Sequence, residues 1–421
     1  MNQQKFKDTE IGMIPKEWKV VKLDTIADIE TGKRAKGGGL SKGSVASIGG
    51  EHIDQDGNIL WDKMKFIPES FYEDLNQGKV RLGDILMVKD GATTGKTCIV
   101  RNLPYEKVAI NEHVFLIKSK AGAISEFLFY VLFSKVGQNQ IKLKFHGLIG
   151  GIKRGDIKSI IIPLPPLPEQ QKIAEILSTV DSAIEKVNQA IAKIERLKKG
   201  LMQELLTKGI GRKEFKDTEI GRIPKEWEVV RLGEVIKLCQ YGLSVKISDQ
   251  GKYPIIKMDD IVNGYVVNDN VKYVDIDEET YRKFKLEKGD VLFNRTNSYE
   301  LVGRTGIFLL NGGYVFASYL IRLKPNRKIV NPHFLTFYLI FSNEKIRQLA
   351  TRAVHQANIN ATNLQNLKLP LPPLPEQQKI AEILSTVDKR LELLRAKKEK
   401  LERIKKGLMH DLLTGKRRVK V

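Results

Sequence analysis

Residues Pro163–Asp181 read PLPPLPEQQKIAEILSTVD, and Pro370–Asp388 repeat them letter for letter 207 positions further on. In the first copy, Leu167-Pro168-Glu169-Gln170 places proline and an acid in an opening helical turn, both of them start signals. Apolar residues follow at Ile173, Leu177, Val180, Ile184, Val187, Ile191, Ile194, Leu201 and Leu205. That is the alternating four-three spacing of a coiled-coil seam, broken at Lys198. Gly209 supplies a stop. The second seam runs through Ile380, Leu384, Val387, Leu391, Leu394, Leu401, Leu408 and Leu412, with Lys398 and Lys405 interrupting it and Gly415 closing it. Each stretch predicts a helix of about 40 residues, or about 60 Å at 1.5 Å per residue.

The repeat extends well beyond the helices. Phe6–Leu23 (FKDTEIGMIPKEWKVVKL) returns at Phe215–Leu232 as FKDTEIGRIPKEWEVVRL. Lys198–Thr207 (KKGLMQELLT) returns at Lys405–Thr414 as KKGLMHDLLT. The chain is two copies of one long unit, far longer than a solenoid repeat. Between these ends the likeness is faint but in register: Gly83-Asp84-Ile85-Leu86 matches Gly289-Asp290-Val291-Leu292, and Phe127–Phe133 matches Phe334–Ile340. A frame is kept while surface residues change, as in a protein that reads two different things.

Strand-like runs such as Ile85–Val88 and Val114–Ile117 alternate with glycine turns, and the aromatic segments near 126–134 and 333–342 read as buried helices. The fold class expected is α+β: two similar mixed α/β domains separated by an antiparallel coiled coil of two long helices, with pseudo-two-fold internal duplication. The boundaries expected are 1–162 for the first domain, 163–209 for the first helix, 210–369 for the second domain, and 370–421 for the second helix with a basic tail. Connectivity gives the helix direction. Only Lys208–Glu214 separate the first helix from the second domain, so a helix that starts from that domain and shares the seam must run back. Gly200 and Gly407 interrupt the helices at equivalent points, where a backbone comes close or the helix bends.

Charge points to a partner. Lys plus Arg number 71 against 50 for Asp plus Glu, giving +21, the balance of a chain that meets a polyanion. The loops that differ between copies are the candidate DNA surface. In the first domain these hold Lys33, Arg34 and Lys36; then Lys89, Thr93, Thr94 and Lys96; then His146, Lys153 and Arg154. In the second they hold Lys246; then Asn294, Arg295, Asn297 and Arg304; then His355, Gln356 and Asn358. Arg, Lys, Asn and Gln can make bidentate contacts to base edges or hold phosphates. Any one of them taken alone is more often a solvated loop residue. On the helices, Gln170, Gln171, Glu175 and Ser178, with Gln377, Gln378, Glu382 and Ser385, are identical between copies although a seam needs only its apolar stripe. They are the candidate protein-docking surface.

Several chemistries lack their residues. Gly91–Thr97 has a P-loop flavour but one residue too few, since position 90 is Asp, and reads as a turn between strands. Asn331-Pro332-His333-Phe334 is near an amino-methyltransferase motif but lacks its second proline, and reads as a helix cap. No glycine-rich donor loop, nuclease cluster or metal-ligand spacing is found, so neither a cofactor nor a metal is expected. Two cysteines at non-equivalent places, a polar N-terminus and short apolar runs indicate a cytoplasmic protein with no membrane partner.

The PLPPLPEQQKIAEIL stretches at 163–177 and 370–384, with IPKEW at 14–18 and 223–227, resemble the signature segments of type I restriction-modification specificity subunits. The resemblance covers essentially the whole chain. It implies a non-catalytic subunit whose two target-recognition domains each read half of a split double-stranded DNA sequence. Helices would set the unread gap and dock two methyltransferase (modification) subunits, with restriction (motor-nuclease) subunits joining them. The methyl donor and ATP would belong to those partners. The alternatives are the specificity component of a simpler system with a fused methyltransferase-nuclease, a coiled-coil scaffold that binds only proteins, or a solitary methyltransferase.

Overall fold

The structure is a computed structural model. It describes residues 6–37, 39–147, 150–299, 301–348, 351–352 and 357–420, without the side chains of 297, 351 and 352. The chain divides into two compact units, Met1–Asn188 with Ala396–Val421, and Gln189–Arg395. The division falls inside both long helices, Leu167–Leu205 and Leu374–Leu413, so each unit holds the start of one helix and the end of the other.

In the first unit a four-stranded antiparallel sheet runs in the order Ala27–Thr31, Val114–Ser119, Ile85–Val88, Thr97–Ile99. Strand Val45–Ile48 pairs antiparallel with Lys65–Ile67 and parallel with Lys107–Ile110 to make a second sheet. The strand residues are short buried apolar runs, ILMV at 85–88 among them, which is how a strand covered on both faces reads. The helix Ser125–Phe133 is buried along most of its length, and its aromatic rings fill the space between the sheet and the start of the first long helix.

The second unit repeats this order with Ile236–Tyr241, Leu320–Pro325, Val291–Asn294 and Thr305–Ile307, then extends it by Tyr265–Val266 and Ile261–Val262. Strand Tyr253–Ile256 pairs with Lys272–Val274 and Val315–Phe316 as its counterpart does. Helix Pro332–Phe341 takes the place of 125–133, and Asn331 caps it by accepting from the amides of His333 and Phe334. The fold class is therefore the α+β duplication expected, and Asn331 serves as a cap.

Within each unit the two long-helix segments run antiparallel. In the first, Ile173 and Leu177 share a core with Met409 and Leu412, so the early turns of one helix meet the late turns of the other. In the second, Met202 and Leu205 share a core with Ile380 and Leu384. Two of the three lysines that broke the seams are explained here. Lys405 Nζ lies 2.7 Å from Asp181 in the first unit, and Lys198 Nζ lies 2.5 Å from Asp388 in the second, all four side chains being mostly buried. The aspartates end the repeated PLPPLP…STVD stretch, so each copy presents one acid to the lysine of the other helix. A polar pair on an apolar seam fixes register, because a one-turn slip would leave both charges unpaired. Asp181 also accepts from the Tyr130 hydroxyl at 2.8 Å and from Arg101 at 3.2 Å; Tyr265 approaches Asp388 in the other unit.

Gly200 and Gly407 lie inside unbroken helix, and a Cβ at either would meet nothing within 4 Å. No backbone approaches there among the described residues. Gly209 and Gly415 are different. Both have left-handed φ, +73° and +65°, and a Cβ would strike Glu376 and Trp227 in one unit, Pro15 in the other.

Removing one partner of the seam pair should be costly. Lys198→Ala or Asp388→Leu alone should lower the stability of the second unit by on the order of 3 kcal/mol, since each strands a largely buried charge. The double variant Lys198→Met/Asp388→Leu should recover most of it. Denaturant midpoints of the three variants check this, and additive losses in the double variant would contradict it.

Candidate nucleic-acid interface

Three loops of the first unit are tied to one another by backbone bonds, and a fourth lies against them. Residues 89–96 form the hairpin between strands 85–88 and 97–99: Val88 N donates to Lys96 O, Gly95 N donates to Val88 O, and the Thr94 hydroxyl donates to Gly91 O at 2.7 Å. The P-loop-like stretch is thus a turn between strands. Lys89 N donates to His113 O at 2.8 Å, and Ile152 N donates to Lys89 O at 2.9 Å. These two bonds fasten the loops 111–113 and 150–154 to the hairpin. Gly32 brings the fourth loop against the Asn111 carbonyl so closely that any Cβ would clash.

The second unit makes the corresponding bonds with other residues. Arg295 N donates to Tyr319 O at 3.0 Å, Ile359 N donates to Arg295 O at 2.9 Å, Gly303 N donates to Asn294 O, and Gly242 abuts the Ala317 carbonyl. The frame is common; the side chains it carries are not.

Those side chains differ in exposure. Lys33, Arg34, Lys36, His146, Lys153 and Arg154 are exposed, while Lys89, Thr93, Thr94 and Lys96 are half-buried. Arg34 pairs loosely with Glu112 at 3.5 Å. His146 Nε2 sits 2.9 Å from Asp156 Oδ2, whose other neighbours include the Lys153 amide. Burial alone would raise the Asp156 pKa, but the Lys153 amide and His146 outweigh it and hold that carboxyl below its usual range. In the second unit Lys246, Arg304 and Asn358 are exposed and Arg295 is half-buried. The side chain of Asn297, and His355 and Gln356 altogether, lie outside what is described.

One expected reader is corrected. Asn294 is fully buried at the end of strand 291–294, with its Nδ2 3.4 Å from Leu301 O. Its counterpart is the buried Val88, so the position belongs to the frame and a side chain there cannot reach a base. Conversely, Asn111-Glu112-His113 and their counterparts Ala317-Ser318-Tyr319 stand among the candidate loops and carry no motif that marks them in the sequence. They are placed there by the bonds from Lys89 N to His113 O and from Arg295 N to Tyr319 O.

The helix surface needs the same correction. Gln170 and Gln377 were expected to be exposed and are buried. The Gln170 amide accepts from Ile124 N at 2.9 Å and donates to Gly122 O and Pro165 O. Gln377 does the same with Asn331 N, Ile329 O and Pro372 O. They staple the helix start to the domain, which accounts for their identity between copies without a partner. Gln171, Glu175, Gln378 and Glu382 are exposed, and Ser178 and Ser385 half-buried. Leu197 and Ile404 are exposed apolar residues at equivalent positions beside Gly200 and Gly407.

Beneath both surfaces lies one anchor per unit. Glu169 accepts from the Trp18 indole at 3.0 Å and is held by Arg418 at 2.6 and 3.0 Å. Glu376 accepts from the Trp227 indole at 3.2 Å, from Ile210 N at 2.9 Å and from Arg212 at 2.6 Å. Burial would push the Glu376 pKa up; Arg212, the Ile210 amide and Trp227 more than reverse this, so the carboxyl titrates below its usual 4.5. Among the described residues no group of His, Cys, Asp and Glu is placed to hold a metal ion. No described helix is long and apolar enough to cross a membrane.

A domain frame is used twice with different loops, and two long helices are joined to it through fixed anchors, an architecture in which the frame is kept while the loops vary. The family model for the type I restriction modification DNA specificity domain matches residues 15–196 and again 224–403, and the chain belongs to that family. It is 30% identical over 99% of its length, and 97% of the relative's, to the type I restriction enzyme MjaVIII specificity subunit of Methanocaldococcus jannaschii. It is 22% identical to the EcoKI specificity subunit of Escherichia coli, covering 88% of this chain and 82% of that one. The fold matches the crystal structure of a type I restriction-modification S subunit from M. genitalium with a TM-score of 0.61 at 16% identity, over 94% and 96% of the two chains.

Two consequences are measurable. Lys33→Ala with Lys36→Ala, both on the exposed loop, should weaken binding to all DNA sequences alike. The salt dependence of log K should fall by about 2, near 0.9 for each phosphate no longer neutralised. Binding titrations across a salt series test this; an unchanged slope would contradict it. Because the Glu376 pKa is lower folded than unfolded, its contribution to stability is present above about pH 4.5 and lost as pH falls through the folded value. Glu376→Gln should therefore flatten the acid limb of the second unit's stability curve, which unfolding between pH 3 and 6 would reveal.

Proposed function

We propose that this specificity subunit reads a bipartite double-stranded DNA target, one half-site with each globular domain, and contributes no catalysis of its own. The observation that carries the reading is the repeated pair of backbone bonds, 89 to 113 and 152 to 89 in one unit, 295 to 319 and 359 to 295 in the other. They hold loops of equal placement and unequal side chains. A protein reading the same thing twice would keep Lys89 and His113; this one has Arg295 and Tyr319 instead. The reading domains are residues 1–162 and 210–369, and 163–209 and 370–421 carry the helices and the basic tail.

The helices set the unread spacer and dock two methyltransferase subunits, one per copy of the exposed face. Gln171, Glu175 and Ser178 belong to it, with Gln378, Glu382 and Ser385. In the second unit Leu197 stands beside Gly200, and in the first Ile404 beside Gly407: an apolar side chain next to a glycine in open space offers a partner helix close approach in each unit. Restriction subunits join through that core. Methyl donor and ATP chemistry reside in the partners, and the complex works in the cytoplasm.

Exchanging residues 24–160 for the first domain of another family member should change one half-site and leave the other, as methylation mapping would show. A change in both half-sites, or in neither, would contradict the reading. Gln171→Ala/Glu175→Ala with Gln378→Ala/Glu382→Ala should abolish co-purification of the methyltransferase without lowering thermal stability. Gln170→Ala should do the reverse, and unchanged assembly in the quadruple variant would count against the docking face.

A further inference from the structure

At one position of the shared frame the two copies carry different cations in different surroundings. In the first unit it is Lys89, whose Nζ lies 3.4 Å from Glu112 O and 3.9 Å from the Asp90 carboxylate, while Asp90 also pairs with His113. That lysine is folded into an acidic neighbourhood. In the second unit the position is Arg295. Its Cζ lies 4.8 Å from the centre of the Tyr241 ring, and Nη1 donates to Ser318 O at 3.4 Å. Among the described residues no carboxylate lies within ion-pair distance of it. Tyr241 is itself fixed, its hydroxyl accepting from Ala361 N at 2.8 Å, and is 42% exposed; Tyr319, whose carbonyl accepts from the Arg295 amide, is 45% exposed. The Arg295 Nε is buried with no hydrogen-bond partner.

A guanidinium stacked on a ring, anchored at one nitrogen and clamped by backbone bonds at its own N and O, has lost most of its rotamer freedom before any ligand arrives. The ligand edge that matches such a planar fork is the O6 and N7 pair of guanine in the major groove. Phosphate takes the same fork, but a freely swinging arm serves for that. We propose that Arg295 reads a guanine in the half-site of the second domain, with Tyr241 as its positioning residue. The inference rests on the two-reader function and deepens it. Lys89 does not play this part in the first domain.

The test uses the whole methyltransferase complex and duplexes carrying its mapped target, with 7-deazaguanine replacing each guanine of the second half-site in turn. That base keeps O6 and loses the N7 acceptor. One replacement should weaken binding about tenfold or more. Arg295→Ala should lose as much, be indifferent to that replacement, and accept all four bases there while discriminating in the first half-site as before. Arg295→Lys should keep overall affinity with reduced discrimination. Tyr241→Leu, which leaves the arginine in place, should lower discrimination at the same base and covers the case in which Arg295→Ala does not fold. A second half-site without guanine, an Arg295→Ala profile with every base preference intact, or uniform weakening on all duplexes with a smaller salt slope would overturn the inference and leave the two-reader function standing. Absence of sequence preference in the wild-type complex would overturn both.

Discussion

Each unit depends on a buried carboxylate at the first turn of a long helix. Glu169 and Glu376 stand where the helix dipole already favours negative charge, and each is satisfied by an indole N–H and an arginine. Charge-assisted bonds of this kind are short and directional. Their effect is to join three separate pieces of chain. The IPKEW segment supplies the tryptophan, the helix start supplies the acid, and the residues that follow the end of the other helix supply the arginine, Arg418 in one unit and Arg212 in the other. The glycines at 209 and 415 are required because the chain must turn directly over the tryptophan. The strict repetition of PLPPLPEQQ and IPKEW follows, since losing any member leaves a buried charge or a buried indole without a partner.

From this anchor the frame extends by bonds that tolerate sequence change. Gln170 and Gln377 hold the helix-capping turns through backbone groups, and the reader loops are fastened to one another through backbone N–H and C=O groups. A backbone bond does not depend on which side chain is present. Lys89 can thus become Arg295, and His113 become Tyr319, without disturbing the loops around them. Sites mounted on a rigid scaffold can vary in this way without loss of stability, so the loops can diverge while the frame is kept.

Much of the frame was legible in the sequence because duplication supplies its own comparison. The helices showed in their seams, the Asn331 cap in its residue types, and the hairpin at 91–97 in its glycines. What stayed hidden was pairing at long range. Lys198 and Lys405 looked like faults in a stripe, because the acids that answer them, Asp388 and Asp181, sit on another helix. Glu169 read only as a start signal. Gln170 and Gln377 looked like surface, since a glutamine in a first turn is ordinarily solvated, and only the folded domain shows the amide filled on both sides. Asn294 looked like a reader for the converse reason: a polar residue beside a variable loop gives no sign that its strand has not yet left the core. Loop 111–113 carried no motif, and its membership came from a hydrogen bond to residue 89.

The central claim, one frame with two independent readers, is tested most directly by amide hydrogen exchange on the DNA-bound methyltransferase complex, using duplexes with either half-site scrambled. The account predicts that scrambling one half-site removes protection from the loops of one unit only, either 32–36, 89–96, 111–113 and 150–154 or 242–246, 295–304, 317–319 and 357–360. The loops of the other unit should stay protected. Simultaneous loss of protection in both sets, or protection indifferent to either half-site, would contradict it.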